Sequence, residues 1–253
     1  MILQPSDCDR LVAALPDNAQ TVLPLHFILV GRAEAYVDSP DNPRNMAVRT
    51  DTVNSMVFAD GEDMQILEGL LGEAGPAGMT WFPDRLAPHV QALTDSAYGT
   101  VLRRAEHLQR STSTAPPIPA TPGFEVRRLT ADDLHLAQGA PERIQWVTHG
   151  WGDWQRLLTD GIVVAALAGS NVAALAVTFG MSRQYADIAV ATAPAFQNRG
   201  LCTACAATLM PQIMQTGRRP VWTVDVSNKP SCRVSDKLGF ETHFRAVSFS
   251  RDS

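Results

Sequence analysis

Residues 190–203 combine a strand, a proline, a polar loop and a glycine in an order that suits the binding of an anion. The strand ends near Thr192, Pro194 stops it, and a helix begins at Gly200. The N-terminus of a helix presents unpaired backbone N–H groups and a partial positive charge, and glycine lets the backbone approach a ligand closely. Arg199 adds a cation beside this turn. The pattern predicts a phosphate or pyrophosphate site, although an ordinary connection between a strand and a helix has the same local features.

A second segment, residues 223–240, contains a strand, an asparagine, a helix and then Leu-Gly-Phe. Together the two segments resemble the signature motifs of the GNAT acyltransferase superfamily. The first motif is carried by Pro194, Gln197, Gly200 and Cys202, and the second by Asn228, Ser231 and Leu238-Gly239-Phe240. The resemblance covers the chain from residue 124 onwards. Residues 142–245 are most similar to bacterial GNAT proteins that have an extra N-terminal domain.

The resemblance implies acetyl-CoA as a cosubstrate and indicates which residues contact it. The backbone at Val190 and Thr192 would pair with the pantetheine arm, in a gap where two parallel strands splay apart. Asn228 and Ser231 would contact the cofactor from the other side. The pyrophosphate would lie against the backbone of the loop and the helix start, namely Gln197, Asn198, Arg199, Gly200, Leu201, Cys202 and Thr203.

Two positions depart from the family pattern. Cys202 stands where Gly or Ala is usual, and Cys is small enough to keep the backbone approachable. Ser235 stands where many members have a Tyr that protonates the leaving thiolate, and we place it among the candidate catalytic residues. Because a thiol has a pKa of about 8.5, the thiolate leaves readily and a proton donor is helpful without being obligatory. The missing Tyr also keeps open a non-catalytic acyl-CoA-binding module whose output comes from the N-terminal domain.

The reaction implied by the resemblance is direct acetyl transfer to an amine in a ternary complex. An amine must lose a proton before it attacks a thioester, and a carboxylate or His can accept that proton. Asp187, on the strand that leads to the loop, is the first candidate, and a solvated surface Asp is the alternative reading. His149 and Asp153 are second choices. They lie among three tryptophans that suit either an acceptor wall or core packing, namely Trp146, Trp151 and Trp154.

The pair Cys202-x-x-Cys205 allows a different chemistry at the same helix start. Two thiols in this position can have a lowered pKa and form a redox couple. A thiol redox protein is therefore an alternative function, and it predicts no binding of CoA. No second CxxC or His pair has the spacing of zinc ligands, so no metal site is predicted.

The elements that must position these residues follow from the hydrophobic pattern. Two apolar runs, residues 161–168 and 172–179, flank a Gly/Asn turn and predict a hairpin. Further strands are predicted at 124–129, 185–192, 221–226 and 246–250, with helices at 200–216 and 229–238. We expect an α/β fold in residues 124–253, with a mixed sheet flanked by helices and a splayed pair of parallel strands at the CoA site.

Residues 1–110 predict a smaller N-terminal α/β domain without a catalytic constellation. The hypothesis that it is a degenerate relative of the second half is left open by the sequence. Its predicted strands are 34–38, 45–49, 55–58 and 79–82, and its predicted helices are 6–15, 62–71 and 86–108. Residues 111–123 contain four prolines and no charge, and they predict a linker between the domains.

Composition limits the partners. Residues 1–110 carry a net charge of −7 and residues 124–253 a net charge of +2, without a basic stripe, so no nucleic-acid partner is expected. No apolar run approaches the ~20 residues that span a bilayer, and no signal peptide is visible, so we expect a cytoplasmic protein without a membrane partner. The acceptor is expected to be a small-molecule or peptide amine, and a homodimer is a reasonable expectation.

Overall fold

The computed structural model describes residues 2–3, 12–13, 15–52, 55–98 and 103–250. The strands are β1 (Ile2–Leu3), β2 (Ala33–Val37), β3 (Met46–Thr50), β4 (Met56–Asp60), β5 (Met79–Pro83), β6 (Arg103–Ser111), β7 (Glu125–Leu129), β8 (Val163–Ala168), β9 (Asn171–Met181), β10 (Tyr185–Thr192), β11 (Arg219–Asp225) and β12 (Glu241–Ser250). The helices are α1 (Val22–Leu29), α2 (Met64–Ala74), α3 (Ala87–Tyr98), α4 (Leu134–Gln138), α5 (Trp154–Asp160), α6 (Leu201–Gln215) and α7 (Lys229–Lys237). Short 3-10 segments cover Asp84–Leu86, Ala131–Asp133, Glu142–Gly150 and Pro194–Phe196.

The chain forms two units that alternate along the sequence. Unit 1 comprises Met1–Gln109, Val224–Ser227 and Thr242–Ser253, and unit 2 comprises Arg110–Thr223 and Asn228–Glu241. The segments that precede and follow α7 in the sequence therefore belong to unit 1. Strand β6 runs through Ser111, into the predicted linker. The predicted division into residues 1–110, 111–123 and 124–253 and the roles of its parts stay predictions.

The sheet of unit 1 has the strand order β1-β2-β3-β4-β5-β12-β6. Strands β2, β3 and β4 are antiparallel neighbours, whereas β4 and β5 run parallel and are connected by α2. The apolar face of α2 packs on this sheet through Leu67 and Leu71, which are fully buried. The last strand of the chain joins the same core, because β12 pairs antiparallel with β5 and buries Val247 and Phe249.

The sheet of unit 2 has the order β11-β10-β9-β8-β7 and is antiparallel except between β10 and β11. Residues Val172–Thr178 of β9 are buried without interruption, which is expected for a central strand that is covered on both faces. Helix α6 connects β10 to β11 and packs against β8, β9 and β10. The mixed sheet with flanking helices that was predicted for this half of the chain is confirmed.

Three elements of the first half differ from the prediction. Residues 103–108, predicted to be helical, belong to strand β6, because pairing within the sheet outweighs the helix propensity of this polar segment. Gly72 does not end α2, which continues to Ala74 and stops at Gly75, where φ is 74°. Helix α1 was not predicted, because its short, uniformly apolar sequence lacks a helical period. Most of the predicted helix at residues 6–15 lies outside the described residues.

A buried histidine in unit 1 makes its stability depend on pH. His107 of β6 shares a hydrogen bond of 2.7 Å between its Nε2 atom and Ser248 Oγ, and its ring centroid lies 3.9 Å from that of Trp81. Burial lowers the pKa of His107 to about 4, with Asp225 opposing the shift and Arg103 adding to it. The unfolded chain therefore binds a proton that the folded chain does not between about pH 6.5 and pH 4.

As the pH falls from 7 to 5, we expect protonation of His107 in the unfolded chain to lower the free energy of unfolding by about 2 kcal/mol. The variant His107→Gln keeps a hydrogen-bonding group and removes the titration. Urea unfolding of both proteins at the two pH values isolates the term as the difference in slope between wild type and variant. Equal pH dependence in the two proteins would contradict a buried neutral His107.

Within the described residues, no helix is both long enough and apolar enough to cross a membrane.

Candidate functional site

Strands β10 and β11 start as a parallel pair and then separate. Their register pairs are Tyr185 with Arg219, Ala186 with Pro220 and Asp187 with Val221, and the pairing ends there. Strand β10 continues to Thr192 and keeps its pairing with β9 on the other side. The edge of β10 that follows Asp187, including Val190 and Thr192, therefore has no strand partner in the described part of β11. This is the splayed parallel pair predicted from the sequence.

Asp187 lies where the pairing ends and is only 5% exposed. Its carboxylate accepts a hydrogen bond of 2.9 Å from Thr223 Oγ1. Burial raises the pKa of Asp187 to about 7, and its interaction with Thr223 opposes this rise. Asp187 is thus a buried group that changes charge near neutral pH. The alternative reading as a solvated surface Asp is wrong.

The predicted anion turn follows β10 directly. Asn198 and Gly200 both have left-handed backbones, with φ of 61° and 74°, and such residues turn successive N–H groups toward one side. Gly200 is the N-cap of α6, and no side chain caps this helix end. In the described part of the chain, no hydrogen bond uses the N–H groups of residues 198–203. The turn has the free donors and the exposure that an anion needs.

Two aromatic rings hold the cation of this turn. The guanidinium carbon of Arg199 lies 5.9 Å from the ring centroid of Phe124 and 5.8 Å from that of Phe196. The two rings meet edge to face at 5.8 Å. Cation–π contacts of this kind restrict a long side chain that would otherwise be mobile. The contact with Phe124 could not be predicted, because Phe124 is 75 residues from Arg199 in the sequence, whereas Phe196 is only three residues away and was not singled out.

The start of α7 carries the second motif. Asn228 Oδ1 accepts the Ser231 N–H at 3.2 Å and so caps the helix. Ser231 Oγ accepts the indole N–H of Trp222 at 3.1 Å. These bonds fix both side chains, and they leave the Nδ2 group of Asn228 and the hydroxyl hydrogen of Ser231 for a ligand.

The surroundings of Ser235 do not suit the catalytic role predicted for it. It is fully buried, its hydroxyl donates to Cys232 O at 2.9 Å, and its oxygen accepts from Arg110 Nη1 at 2.8 Å. Arg110 also bonds Asp236. Since the hydrogen of Ser235 is already donated within α7, this geometry gives no support to Ser235 as a proton donor. Nothing in the sequence near Ser235 indicates the partnership with Arg110.

The two thiols of α6 are not arranged for redox chemistry. Burial raises the pKa of Cys202 to about 11, against the effect of its 2.7 Å hydrogen bond with Thr192 Oγ1. Burial also raises the pKa of Cys205, which is fully buried and contacts Ala174 O. Reactive thiols have a lowered pKa and are accessible, whereas Cys205 is buried, Cys202 is only partly exposed, and neither thiol has a lowered pKa. Among the described residues, no group of three or more His, Cys, Asp or Glu side chains could hold a metal ion.

The 3-10 segment Glu142–Gly150 packs against β9 near the position that pairs with Asp187. Phe179 is an extra residue in β9, because Asp187 pairs with Gly180 and Ile188 pairs with Thr178. Such a β-bulge interrupts the ladder, and the indole N–H of Trp151 donates to Thr178 O at 2.7 Å. The bulge and this segment therefore support each other.

The three tryptophans divide into two groups. Trp151 and Trp154 are buried, as core packing predicts, whereas Trp146 is 41% exposed and lies 6.1 Å from the ring centroid of Phe179. Asp153, a second-choice base, accepts the Arg156 N–H at 2.8 Å and caps α5. His149 lies in the same 3-10 segment as Trp146. Of this aromatic pair, Trp146 is exposed and Phe179 is half-buried, in the strand that pairs with β10 at Asp187.

Gly150 is expected to be required for the packing of this 3-10 segment against β9. A Cβ atom at Gly150 would overlap the carbonyl oxygen of Phe179. We expect Gly150→Ala to lower the free energy of unfolding by about 1–3 kcal/mol, the usual cost of overpacking. In Gly72→Ala, where a Cβ meets nothing within 4 Å, the same change should raise it by about 0.5–1 kcal/mol. Urea unfolding of both variants tests this, and an unchanged Gly150→Ala would show that the overlap relaxes at no cost.

Comparison with known proteins places this geometry in context. A family model described as GNAT acetyltransferase matches residues 17–247. A protein of Streptomyces virginiae described as an uncharacterized N-acetyltransferase is 27% identical over 194 residues, which are 76% of this chain and 78% of that protein. A GCN5-related N-acetyltransferase-like protein from Streptococcus suis has a TM-score of 0.68 at 17% identity, over 97% of this chain and 98% of its own. A tandem GNAT protein from the clavulanic acid biosynthesis pathway has a TM-score of 0.60 at 12% identity, over 98% and 96% of the two chains. The structural likeness confirms the predicted fold class.

Proposed function

Because this chain belongs to the GNAT acetyltransferase family, we propose that it is an N-acetyltransferase that moves an acetyl group from acetyl-CoA directly to an amine in a ternary complex. Family membership supports acyl transfer in general. The observation that carries the finer proposal is the gap that opens between β10 and β11 after Asp187, beside an uncapped helix end.

The residues around the gap fit CoA. The N–H groups of residues 198–203 and the cation of Arg199 face a pyrophosphate with complementary charge. The backbone of Val190 and Thr192 pairs with the amides of the pantetheine arm, as an added strand would. Asn228 and Ser231 donate from the start of α7. When bound, acetyl-CoA supplies an activated acetyl group as a thioester.

Asp187 is the proposed general base. It lies at the closed end of the gap, and its pKa of about 7 leaves a large share of it ionised at neutral pH. The carboxylate accepts a proton from the ammonium form of the acceptor, directly or through one water. A backbone N–H on the free edge of β10 polarises the thioester carbonyl. The C–N bond forms, the C–S bond breaks, and the second proton of the acceptor nitrogen passes to the departing thiolate or to water. No acid from Ser235 is needed, because the pKa of a thiol is low enough for the thiolate to leave.

The acceptor is a small-molecule or peptide amine. Trp146 and Phe179 offer it an aromatic surface next to Asp187, and such a surface favours an amine with apolar or aromatic substituents. Homodimer formation and a cytoplasmic location are expectations that follow from the sequence alone.

Calorimetric titration of acetyl-CoA and of free CoA into the purified protein tests the cofactor. We expect both to bind, and release of free thiol should then follow in a screen of amine acceptors. Binding with no turnover across the screen would favour the alternative of a non-catalytic acyl-CoA-binding module. This second candidate is supported by Ser235, whose hydroxyl hydrogen is already donated to Cys232 O. No binding of either ligand would overturn the proposal.

A further inference from the structure

Units 1 and 2 repeat the same order of elements. In unit 1 the order is β2, β3, β4, α2, β5 and α3, and in unit 2 it is β8, β9, β10, α6, β11 and α7. In both, the third and fourth strands are the parallel pair and one helix connects them. The turn between β4 and α2, residues 61–63, therefore corresponds in topology to the turn at residues 193–200.

The turn of unit 1 is already filled by its own side chains. Asn45 Oδ1 accepts the N–H groups of Glu62 and Asp63, both at 2.9 Å. Asp63 Oδ1 accepts those of Gln65 and Ile66, at 2.9 and 3.1 Å, and Asp60 Oδ1 accepts that of Gly61 at 2.8 Å. Five of the six N–H groups from Gly61 to Ile66 are thus used. The corresponding N–H groups at residues 198–203 are not.

The position of Asn45 is also fixed and leaves no room. Asn45 is 3% exposed, and its Nδ2 group donates to Asp38 Oδ2 at 2.7 Å. A Cβ atom at Gly61 would overlap Asn45 Oδ1, so the amide oxygen lies directly against the turn. The oxygen therefore lies where an anion would have to lie.

The charges oppose an anion as well. The turn and its borders carry Asp60, Glu62 and Asp63 within four residues, whereas residues 193–203 contain no acid. The nearby cation, Arg85, is already bound to Asp60 and donates to Gly61 O at 2.7 Å. An incoming pyrophosphate would meet carboxylates without gaining free donors.

We infer that unit 2 alone binds CoA, with one molecule per chain, and that unit 1 is a repeat whose anion turn is closed by Asn45 and Asp63. The inference rests on the proposed function, because it counts the ligand that this function requires. Unit 1 contributes to the fold instead, since it contains the segments that precede and follow α7 in the sequence.

Equilibrium titration and hydrogen exchange with CoA test this inference on the full chain. We expect one molecule bound per wild-type chain, an affinity about a thousand-fold weaker in Gly200→Glu, and still one molecule in Asp63→Asn, which keeps the cap and removes its charge. Exchange on the wild type, which needs no variant to fold, should show protection by CoA at residues 193–203 and none at residues 61–66.

The outcomes separate the two proposals. Two molecules per wild-type chain, a second molecule in Asp63→Asn, or protection of residues 61–66 would overturn the inference and leave the proposed function standing. No binding to wild type would overturn the proposed function, and with it the inferred stoichiometry of one CoA molecule per chain.

Discussion

Replacing Gly200 with glutamate is expected to weaken CoA binding about a thousand-fold. The new carboxylate would lie at the uncapped start of α6, close to a pyrophosphate bound at the same helix end. Two like charges about 4 Å apart near a protein surface repel by about 4 kcal/mol, and each 1.4 kcal/mol is a factor of about ten. Calorimetry on wild type and variant measures the loss.

Gly217→Glu is the matched control for this variant. Gly217 follows α6 at its other end and has nearly the same backbone, with φ of 78° against 74°, and a Cβ at either position meets nothing within 4 Å. Both changes therefore cost about 1–2 kcal/mol of backbone strain. Only Gly200 borders the proposed site, so Gly217→Glu should keep wild-type affinity. Equal loss in the two variants, or none in Gly200→Glu, would remove the anion turn from the proposal.

Asp187→Asn is expected to lower kcat/KM by two to four orders of magnitude, the range of a lost general base. The affinity for CoA should stay within about three-fold of wild type, since Asn keeps the oxygen that accepts from Thr223. Steady-state kinetics with the acceptor found in the screen, together with calorimetry, separates these two effects. A variant with near wild-type kcat/KM would assign the proton transfer to another group.

The pH profile gives a second measure of Asp187. The base acts when ionised, so the wild-type kcat/KM should rise with pH through about 7 and then level off. Thr223→Val removes a hydrogen bond that lowers the pKa of Asp187, and its profile should shift to higher pH. Thr223→Ser keeps the hydroxyl and should not shift. A purely structural role for Asp187 would leave the midpoint in the same place in all three proteins.

The carboxyl of Asp187 should also change the stability of the protein with pH, in the opposite direction to His107. The folded-state pKa of Asp187 lies above its unfolded value, so the folded chain binds the extra proton, and the free energy of unfolding falls as pH rises from about 4 to about 7. Between pH 5 and pH 7 this loss is about 2 kcal/mol, similar in size to the gain from His107. The two terms nearly cancel in wild type, which is why each must be measured against its own variant.

The sequence predicted those parts of unit 2 that depend on near neighbours in the chain. Strand β10 has the predicted bounds, residues 185–192, because alternation and the following Pro194 act locally. The helix start at Gly200 and the cap by Asn228 likewise depend on residues within a few positions of one another. The family resemblance rests on these same local motifs, and it is confirmed.

Only the tertiary structure decided the environments of the reactive groups. Asp187 accepts a hydrogen bond from Thr223, 36 residues away, and Ser235 accepts one from Arg110, 125 residues away. The same holds for strand β6, whose polar sequence has no strand pattern, and for β12, which joins β5 in unit 1. Hydrogen-bonding capacity and pKa are set by whatever packs against a side chain, and long-range packing leaves no period or spacing in the sequence. The sequence by itself therefore determined to which family the chain belongs and predicted where the anion turn lies, and the fold determined the burial and the hydrogen bonds of the side chains near that turn.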